Sequence, residues 1–298
     1  MNPKIITQSQ VAGQLPLRPQ DSHKGLFGTV AVIGGATGMT GAALLAARAA
    51  LKLGAGSVHV VLLADNAPAV DLMQPELMLH SFKRHDESHL YSRFKPDVMI
   101  VGCGMGCETY AQQLLNDALL SPAALVLDAD ALNLIASHSD LRDRLITRKA
   151  ATLLTPHPGE AARLLACSTT EIQKNRIASV HHLAKMFACS VVLKGAGSLC
   201  ANHNGEIFIN QTGNPGMSVP GMGDVLAGMI AAFIAQGLKA DDALHLAVHL
   251  HGAAGDALAR RTAVGMTASE LTDQARRLLN QWTSQTENQR HPKLTTND

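Results

Sequence analysis

Short runs of apolar residues alternate along the chain with Ala-rich stretches whose hydrophobic positions recur at helical spacing. Gly28–Ile33 predicts a strand, followed by a glycine loop and a helix near Ala42–Leu53 that Gly54 stops. Ser57–Leu63 and Asp97–Val101 predict two more strands, the second leading through Gly102, Gly104 and Gly106 into a helix ending near Leu120. Ala124–Leu127 runs into Asp128 and Asp130, and Thr152–Leu154 runs into Thr155-Pro156-His157-Pro158, where Pro158 suits the first position of a helix. A helix near Thr170–Ala188 precedes the strand Ser190–Leu193. The rhythm then changes: Ser198–Ala201 and Glu206–Asn210 predict a β-hairpin with a type I′ turn at Asn204-Gly205. Helices over Gly223–Gln236 and Asp241–Arg261 are apolar nearly all round and so predict burial.

Successive β-then-α units predict an α/β fold, a mostly parallel sheet covered by helices on both faces. No linker, repeat or composition shift divides the chain, so residues 24–282 are expected to form one domain. Residues 1–23 are expected to be a polar lead-in with one short helix, and 283–298, almost without apolar residues, a frayed tail.

The 298 residues are 46% hydrophobic, enough to bury a large core, and carry a formal net charge of only +1. That balance gives no electrostatic footprint for nucleic acid or an anionic membrane. The first 25 residues lack an apolar signal core and no apolar run spans a bilayer uninterrupted, so a cytoplasmic protein is expected. Five cysteines without a repeating pattern do not resemble a disulfide scaffold, and Cys103 and Cys107 have no second pair at zinc spacing.

Polar and glycine residues cluster directly after the strands, at Gly34–Gly38, Gly102–Gly106, Asp128–Asp130, Thr155–His157 and Lys194–Gly195. In open α/β sheets the ligand crevice lies at the carboxyl ends of the strands, so these loops are expected to line one crevice. The densest segment is Asn214–Gly228, NPGMSVPGMGDVLAG. Gly216, Gly221 and Gly223 allow sharp bends and close approach, and the helix starting near Gly223 presents free N–H groups suited to phosphate. Asp224 in its first turn reads equally well as a base for a hydroxyl attacking phosphorus or as a helix cap. Asp128 and Asp130 read about equally as catalytic or as a strand-end turn that orders the crevice, with capping by Asp130 as the third reading. The His245/His249 pair, with His251 nearby, reads as helix packing and hydrogen bonding. Gly34-Gly35-x-x-Gly38 is not a dinucleotide fingerprint. Tyr91-x-x-x-Lys95 lacks the helix a reductase pair needs, and no P-loop is present.

The ordered set HKGLFGTVAVIGG, GMTGAALLAARAALKLGAGSV, VLDADALN, LLTPHPGEAARLL, VVLKGAGSLCA, NPGMSVPGMGDVLAGMIAAFIAQG and LHGAAGDALA resembles the ribokinase-like superfamily, and within it the ADP-dependent NAD(P)H-hydrate dehydratases. The resemblance covers about His23 to Ala259. It implies a ribokinase-like fold and Asp224 as catalytic base, with Gly221, Met222 and Gly223 as the anion hole. It further implies nucleotide contacts from Lys194, Gly195, Ala196, Gly197, Ser198 and Gly223, and hydrate contacts from Ala43, Gly106, His157 and Asp224. ADP would be the co-substrate, hydrated NADH or NADPH the substrate, and Mg²⁺ the metal, organised through water by Glu160. Related small-molecule kinases usually carry Asn where this chain has His157, which favours dehydration over simple phosphorylation. A kinase of a small alcohol and a non-catalytic nucleotide-binding module are the alternative readings. Two positions depart from the family pattern. Ser218-Val219-Pro220 replaces Ala-Thr-Gly, removing an N–H donor at Pro220, and Ser198 replaces Thr. The resemblance also implies a symmetric homo-oligomer, a tetramer being one such form. The epimerase domain fused to some relatives would be a separate protein.

Overall fold

The computed structural model describes residues 2–14, 18–82 and 94–290. Its elements in chain order are β1 (Lys4–Ile5), α1 (Gln8–Ala12), β2 (Thr29–Gly34), α2 (Thr40–Lys52), β3 (Ser57–Leu62), β4 (Met78–Ser81), β5 (Val98–Val101) and α3 (Thr109–Leu120). There follow β6 (Ala124–Leu127), α4 (Asp130–Ser137), α5 (Ser139–Thr147), β7 (Thr152–Leu154), α6 (Pro158–Leu164), α7 (Thr169–Lys174) and α8 (Arg176–Phe187). The chain closes with β8 (Ser190–Leu193), β9 (Leu199–Ala201), β10 (Ile207–Ile209), α9 (Met222–Ala235), α10 (Ala240–Ala259) and α11 (Ala268–Arg290).

Among the described residues these strands form one ten-stranded sheet in the order β1-β10-β9-β8-β7-β6-β5-β2-β3-β4. Only β9 runs against its neighbours; every other pairing is parallel. The expected mostly parallel sheet with a hairpin before the glycine turn is therefore present. Alternate strand residues feed two cores. Val30, Val32, Val58 and Val60 pack with α2, α9, α10 and α11, whereas Ala31, Ile33, Met99 and Leu125 pack with α3, α4, α5, α6 and α8. Gly228 lets α9 lie directly on α2, because a Cβ there would overlap the carbonyl oxygen of Ala46.

Several local readings change. The hairpin turn is wider than Asn204-Gly205: Gly205 N–H donates to Asn202 O, and of the turn residues Gly205 alone has a positive φ, at 89°. A type I′ turn needs two such residues, so this is a type I turn closed by a glycine bulge. The helix expected over Thr170–Ala188 breaks at Asn175, which caps α8 on entry. The lead-in is not a bystander, since β1 pairs with β10 at the sheet edge.

The tail expected to fray from 283 instead continues α11 to Arg290, and residues 291–298 lie outside the described residues. The helix is fixed at its start by a Thr267–Glu270 capping exchange and held down by buried Leu271, Ala275 and Trp282. Once nucleated on that apolar stripe, further polar residues extend it at little cost. Among the described residues no helix is long and apolar enough to cross a membrane.

The segment between β3 and β4 is anchored by Asp71, only 4% exposed, whose oxygens accept from Arg48 Nε at 2.7 Å and Nη2 at 2.6 Å. Burial alone would raise the Asp71 pKa, but Arg48 and the Met73 and Gln74 amides hold it below the usual carboxylate range. Arg48→Ala would strand that carboxylate, and a loss of about 3–5 kcal/mol in urea unfolding at pH 7 is expected. A loss under about 1 kcal/mol would mean the pair is effectively solvent-exposed.

Candidate functional site

The carboxyl ends of β2, β5, β6, β7 and β8 do converge on one crevice, and close backbone contact between loops is what builds it. A Cβ on Gly34 would overlap Cys103 O, and Cys103 O instead accepts from Gly35 N at 3.0 Å. Gly102, at φ 119°, lies against Asp128 O in the same way. The turn after β6 then splits two carboxylates around Ala129, a non-glycine residue held at φ 48°. Asp130 Oδ2 accepts from Gly106 N at 2.8 Å and so fixes the second glycine loop, while Asp128 is bonded to Lys194 of another strand end. A non-glycine residue there costs of order 1–3 kcal/mol, which marks a conformation imposed by its surroundings.

Asp128, 1% exposed, accepts from Lys194 Nζ at 2.7 Å. Lys194 also lies 3.8 Å from Glu160 Oε2. Glu160 is N3 of the α6 capping box: its Oε2 accepts from His157 N at 2.7 Å, and its Oε1 is 3.1 Å from His157 Nε2. His157 Nδ1 in turn accepts from Gly159 N, so Nε2 carries the proton in the neutral ring. The Lys194 pKa feels burial downward, yet Asp128 and Glu160 outweigh it and the ammonium is held above its ordinary value.

Glycine-turn residues close the other wall. Gly221, at φ 89°, is the N-cap of α9, and Met222, Gly223 and Asp224 form its first turn. The Gly221, Met222 and Gly223 amides have no acceptor within the helix. Pro220 precedes the cap, so its missing N–H removes none of those three donors. A Cβ on Gly223 would sit 3.2 Å from Lys194 Nζ, so only glycine leaves that space open. One oxygen of Asp224, one of Asp128 and Cys103 Sγ lie within 4.8 Å of one another. Burial and the neighbouring Asp128 charge push the Asp224 pKa up to about 6, against the pull of the Cys103 thiol and Lys194. Burial and the two aspartates push the Cys103 thiol well up, leaving it protonated.

A cavity of about 460 Å³ opens between this helix start and the loop after β8. Its walls include Lys194, Gly195, Ala196, Gly197, Ser198 and Gly223. Arg176 grips that loop from behind, its guanidinium donating to the carbonyls of Leu193, Lys194 and Gly197. At the far end Asp256 accepts from Gly213 N and Asn214 Nδ2, both at 2.9 Å, and steadies the entry to the glycine turn.

The structure thus gathers Asp224, Gly221–Gly223, Lys194–Ser198, Glu160 and His157 around one crevice, with Gly106 held at its edge. Ala43 is different: it is fully buried in α2, behind Gly35, and offers no exposed side chain. His245 and His249 pack as expected, against Phe208 and Trp282 respectively. Tyr91 lies outside the described residues, and Lys95 sits in the loop before β5.

Sequence reasoning missed four contributors. Cys103 was weighed only as a zinc ligand, although its place between two loop glycines pointed into the crevice. Arg176 acts through backbone carbonyls and carries no local motif, and Asp256 lies within LHGAAGDALA without any sign there that it bonds the glycine-turn entry. His251, grouped with the packing histidines of α10, instead ties to the glycine turn: its Nε2–H donates to Met222 O at 3.0 Å, and burial pushes it down to about 4.

A family model described as Carb_kinase, NAD(P)H-hydrate dehydratase, matches residues 30–277. The chain is 40% identical over 272 residues to an ADP-dependent (S)-NAD(P)H-hydrate dehydratase of Neisseria meningitidis, covering 89% of this chain and 90% of that one. It is 39% identical to the bifunctional NAD(P)H-hydrate repair enzyme Nnr of Coxiella burnetii, of which it spans 55%. It superposes with a TM-score of 0.82, at 27% identity and covering 95% and 99% of the two chains, on the ADP/ATP-dependent NAD(P)H-hydrate dehydratase of Bacillus subtilis co-crystallised with ATP and Mg²⁺. The fold is ribokinase-like, as the motif order implied. With the family model matching most of the chain and the motif-bearing loops meeting in one crevice, this protein belongs to the NAD(P)H-hydrate dehydratase family.

Proposed function

We propose that the protein is an ADP-dependent (S)-NAD(P)H-hydrate dehydratase, a lyase that restores NADH or NADPH from its hydrate. The observation that carries this reading is a half-buried carboxylate, Asp224, with a proton affinity near neutrality, set where the nucleotide loop meets the free amides of α9. A base with a pKa of about 6 is ionised at pH 7 and still able to take a proton from a hydroxyl. Lys194–Ser198 and Gly223 hold ADP, and the amides of Gly221, Met222 and Gly223 face the charge on the transferring phosphoryl group. His157 and Gly106 dock the hydrate, with Ala43 supporting the loop behind it.

Asp224 accepts the proton of the C6 hydroxyl, whose oxygen forms a bond to the β-phosphorus of ADP while the bond to the bridging oxygen breaks and AMP leaves. The ring nitrogen then expels phosphate from C6, and loss of a proton from C5 restores the double bond. Phosphorylation matters because hydroxide is a poor leaving group. The carboxylates flanking the nucleotide loop, Asp128 and Glu160, are both paired within the protein. This donor set fits a hydrated Mg²⁺ held by the phosphates, with Glu160 reached through water, rather than a protein cage. Bound there, the ion would offset phosphate charge.

Incubation with hydrated NADH, ADP and Mg²⁺ should yield NADH, AMP and phosphate in equal amounts. A stable phosphorylated product without NADH would instead indicate a kinase, and no turnover of authentic hydrate would refute the proposal. A homo-oligomer, with a tetramer as one form the resemblance implies, belongs to the same reading; sedimentation showing only monomers would remove it.

A further inference from the structure

The deepest polar contact in the crevice is not aimed at a ligand. Lys194 lines the cavity with the rest of its loop, yet its ammonium is spent on Asp128 at 2.7 Å, with Glu160 at 3.8 Å. Asp128 is itself sealed from water and lies against Asp224. Burial and the Asp128 charge raise the hold of Asp224 on a proton, and the Lys194 ammonium works against them. Here that cation is also a group facing the nucleotide cavity.

We propose that Lys194 shuttles between Asp128 and the terminal phosphate of the bound nucleotide, so that nucleotide binding uncovers the Asp128 charge and arms Asp224 as a base. Asp128 is then a positioning residue acting through Asp224, with no contact to substrate. The inference rests on the dehydratase reading only in taking a nucleoside diphosphate as the ligand.

The geometry makes the exchange short. Gly223 leaves the space beside Nζ open toward the start of α9, where the free amides would hold phosphate. A doubly charged phosphate competes well against a single carboxylate for an ammonium. Arg176 holds the loop backbone through three carbonyls, so only the Lys194 side chain has to move. The groups facing Asp224 are Asp128 at the end of β6, Lys194 at the end of β8 and the Cys103 thiol after β5. Glu160 and, through it, His157 of α6 stand behind Lys194, and His251 of α10 is neutral at physiological pH. Asp224, facing the Asp128 charge, is therefore the acceptor left for a proton when the ammonium departs.

Calorimetric titration of the full chain with ADP, in buffers of different ionisation enthalpy between pH 6 and 8, tests this without turnover. The wild type should take up protons on binding. A tenfold gain in proton affinity centred near pH 6.5 corresponds to about half a proton per site. Asp224→Asn, which keeps the phosphate site, corrects for protonation of ADP itself, and the uptake should vanish in it. It should fall to less than a fifth in Asp128→Asn, or in Asp128→Ser should the first variant not fold. Uptake undiminished in the Asp128 variants would mean that the phosphates alone act on Asp224, and the shuttle would be wrong. ADP binding with no Asp224-dependent uptake would also overturn it while leaving the dehydratase reading intact. Failure to bind ADP at all would instead count against both.

Discussion

Asp224→Asn is expected to lower NADH formation from the hydrate by about 10²–10⁴-fold while leaving ADP binding intact. The amide is nearly isosteric, can still sit in the first turn of α9, and lacks only the ability to accept a proton at neutral pH. The same substitution should make the protein more resistant to heat, and the sign follows from the raised pKa. Below about pH 4 the side chain is protonated both folded and unfolded, so it contributes no difference. Between there and pH 6 the unfolded chain ionises first. Above about pH 6 the folded protein carries a charge that burial and Asp128 both disfavour. The gain in Tm of the variant over wild type should therefore be near zero at pH 4 and reach its full value, a few degrees, by pH 8, at roughly 2–4 °C per kcal/mol for a chain of this size class. Equal Tm gains at both pH values would show that Asp224 is not ionised against resistance. A residual rate above about a tenth of wild type would remove it as the base.

The second large effect is structural. Gly102→Ala should destabilise the fold by about 3–5 kcal/mol and silence the site in whatever fraction still folds. At φ 119° an L-residue is strained whatever the space around it, and here there is none, because the added methyl would overlap Asp128 O and crowd Ala131 at the start of α4. Relief requires moving the Asp128–Asp130 turn, which carries both the partner of Lys194 and the acceptor for Gly106 N. Chemical denaturation together with ADP titration separates the outcomes. Lower stability with unchanged ADP affinity would mean that the loop yields without disturbing the crevice. Gly38 and Gly265 also have positive φ but open space around them, and alanine there should cost only the backbone strain.

How far this could be read from the chain depended on whether the information was local. Apolar runs such as Ala124–Leu127 and Ser190–Leu193 coincide with β6 and β8, because a strand covered on both faces has almost no polar residues to blur its ends. Polar edge elements behaved otherwise. β4, with two exposed ends, and the two-residue β1 are too short and too mixed to show a strand pattern of their own, and only their partners make them strands. The break at Asn175 was hidden because apolar periodicity continues across it. In the site, glycine spacing and the Lys194 segment pointed to the right loops, since close backbone approach can be met only by residues without a side chain. The pairing of Lys194 with Asp128, 66 positions apart, could not be seen, and neither could the Cys103–Asp224 contact. Such pairings are set by strand order, which a single sequence does not declare. For that reason the sequence alone leaves Asp128 between a catalytic role and an ordering turn.

The short pairing of Lys4 and Ile5 with Phe208 and Ile209 has a practical consequence. It caps what would otherwise be a free row of amides and carbonyls on the outermost strand of a hairpin with an apolar face, the kind of edge along which protein molecules join into aggregates. The Lys4 ammonium, over the Phe208 ring and bonded to Glu206, adds a charge that unlike strands must desolvate before docking. Shortening this end, or fusing a bulky partner directly to it, would re-expose that edge and favour self-association. Because Ile209 packs beside Gly197 and leads straight into Asn210 of the cavity wall, the nucleotide loop would feel the change as well.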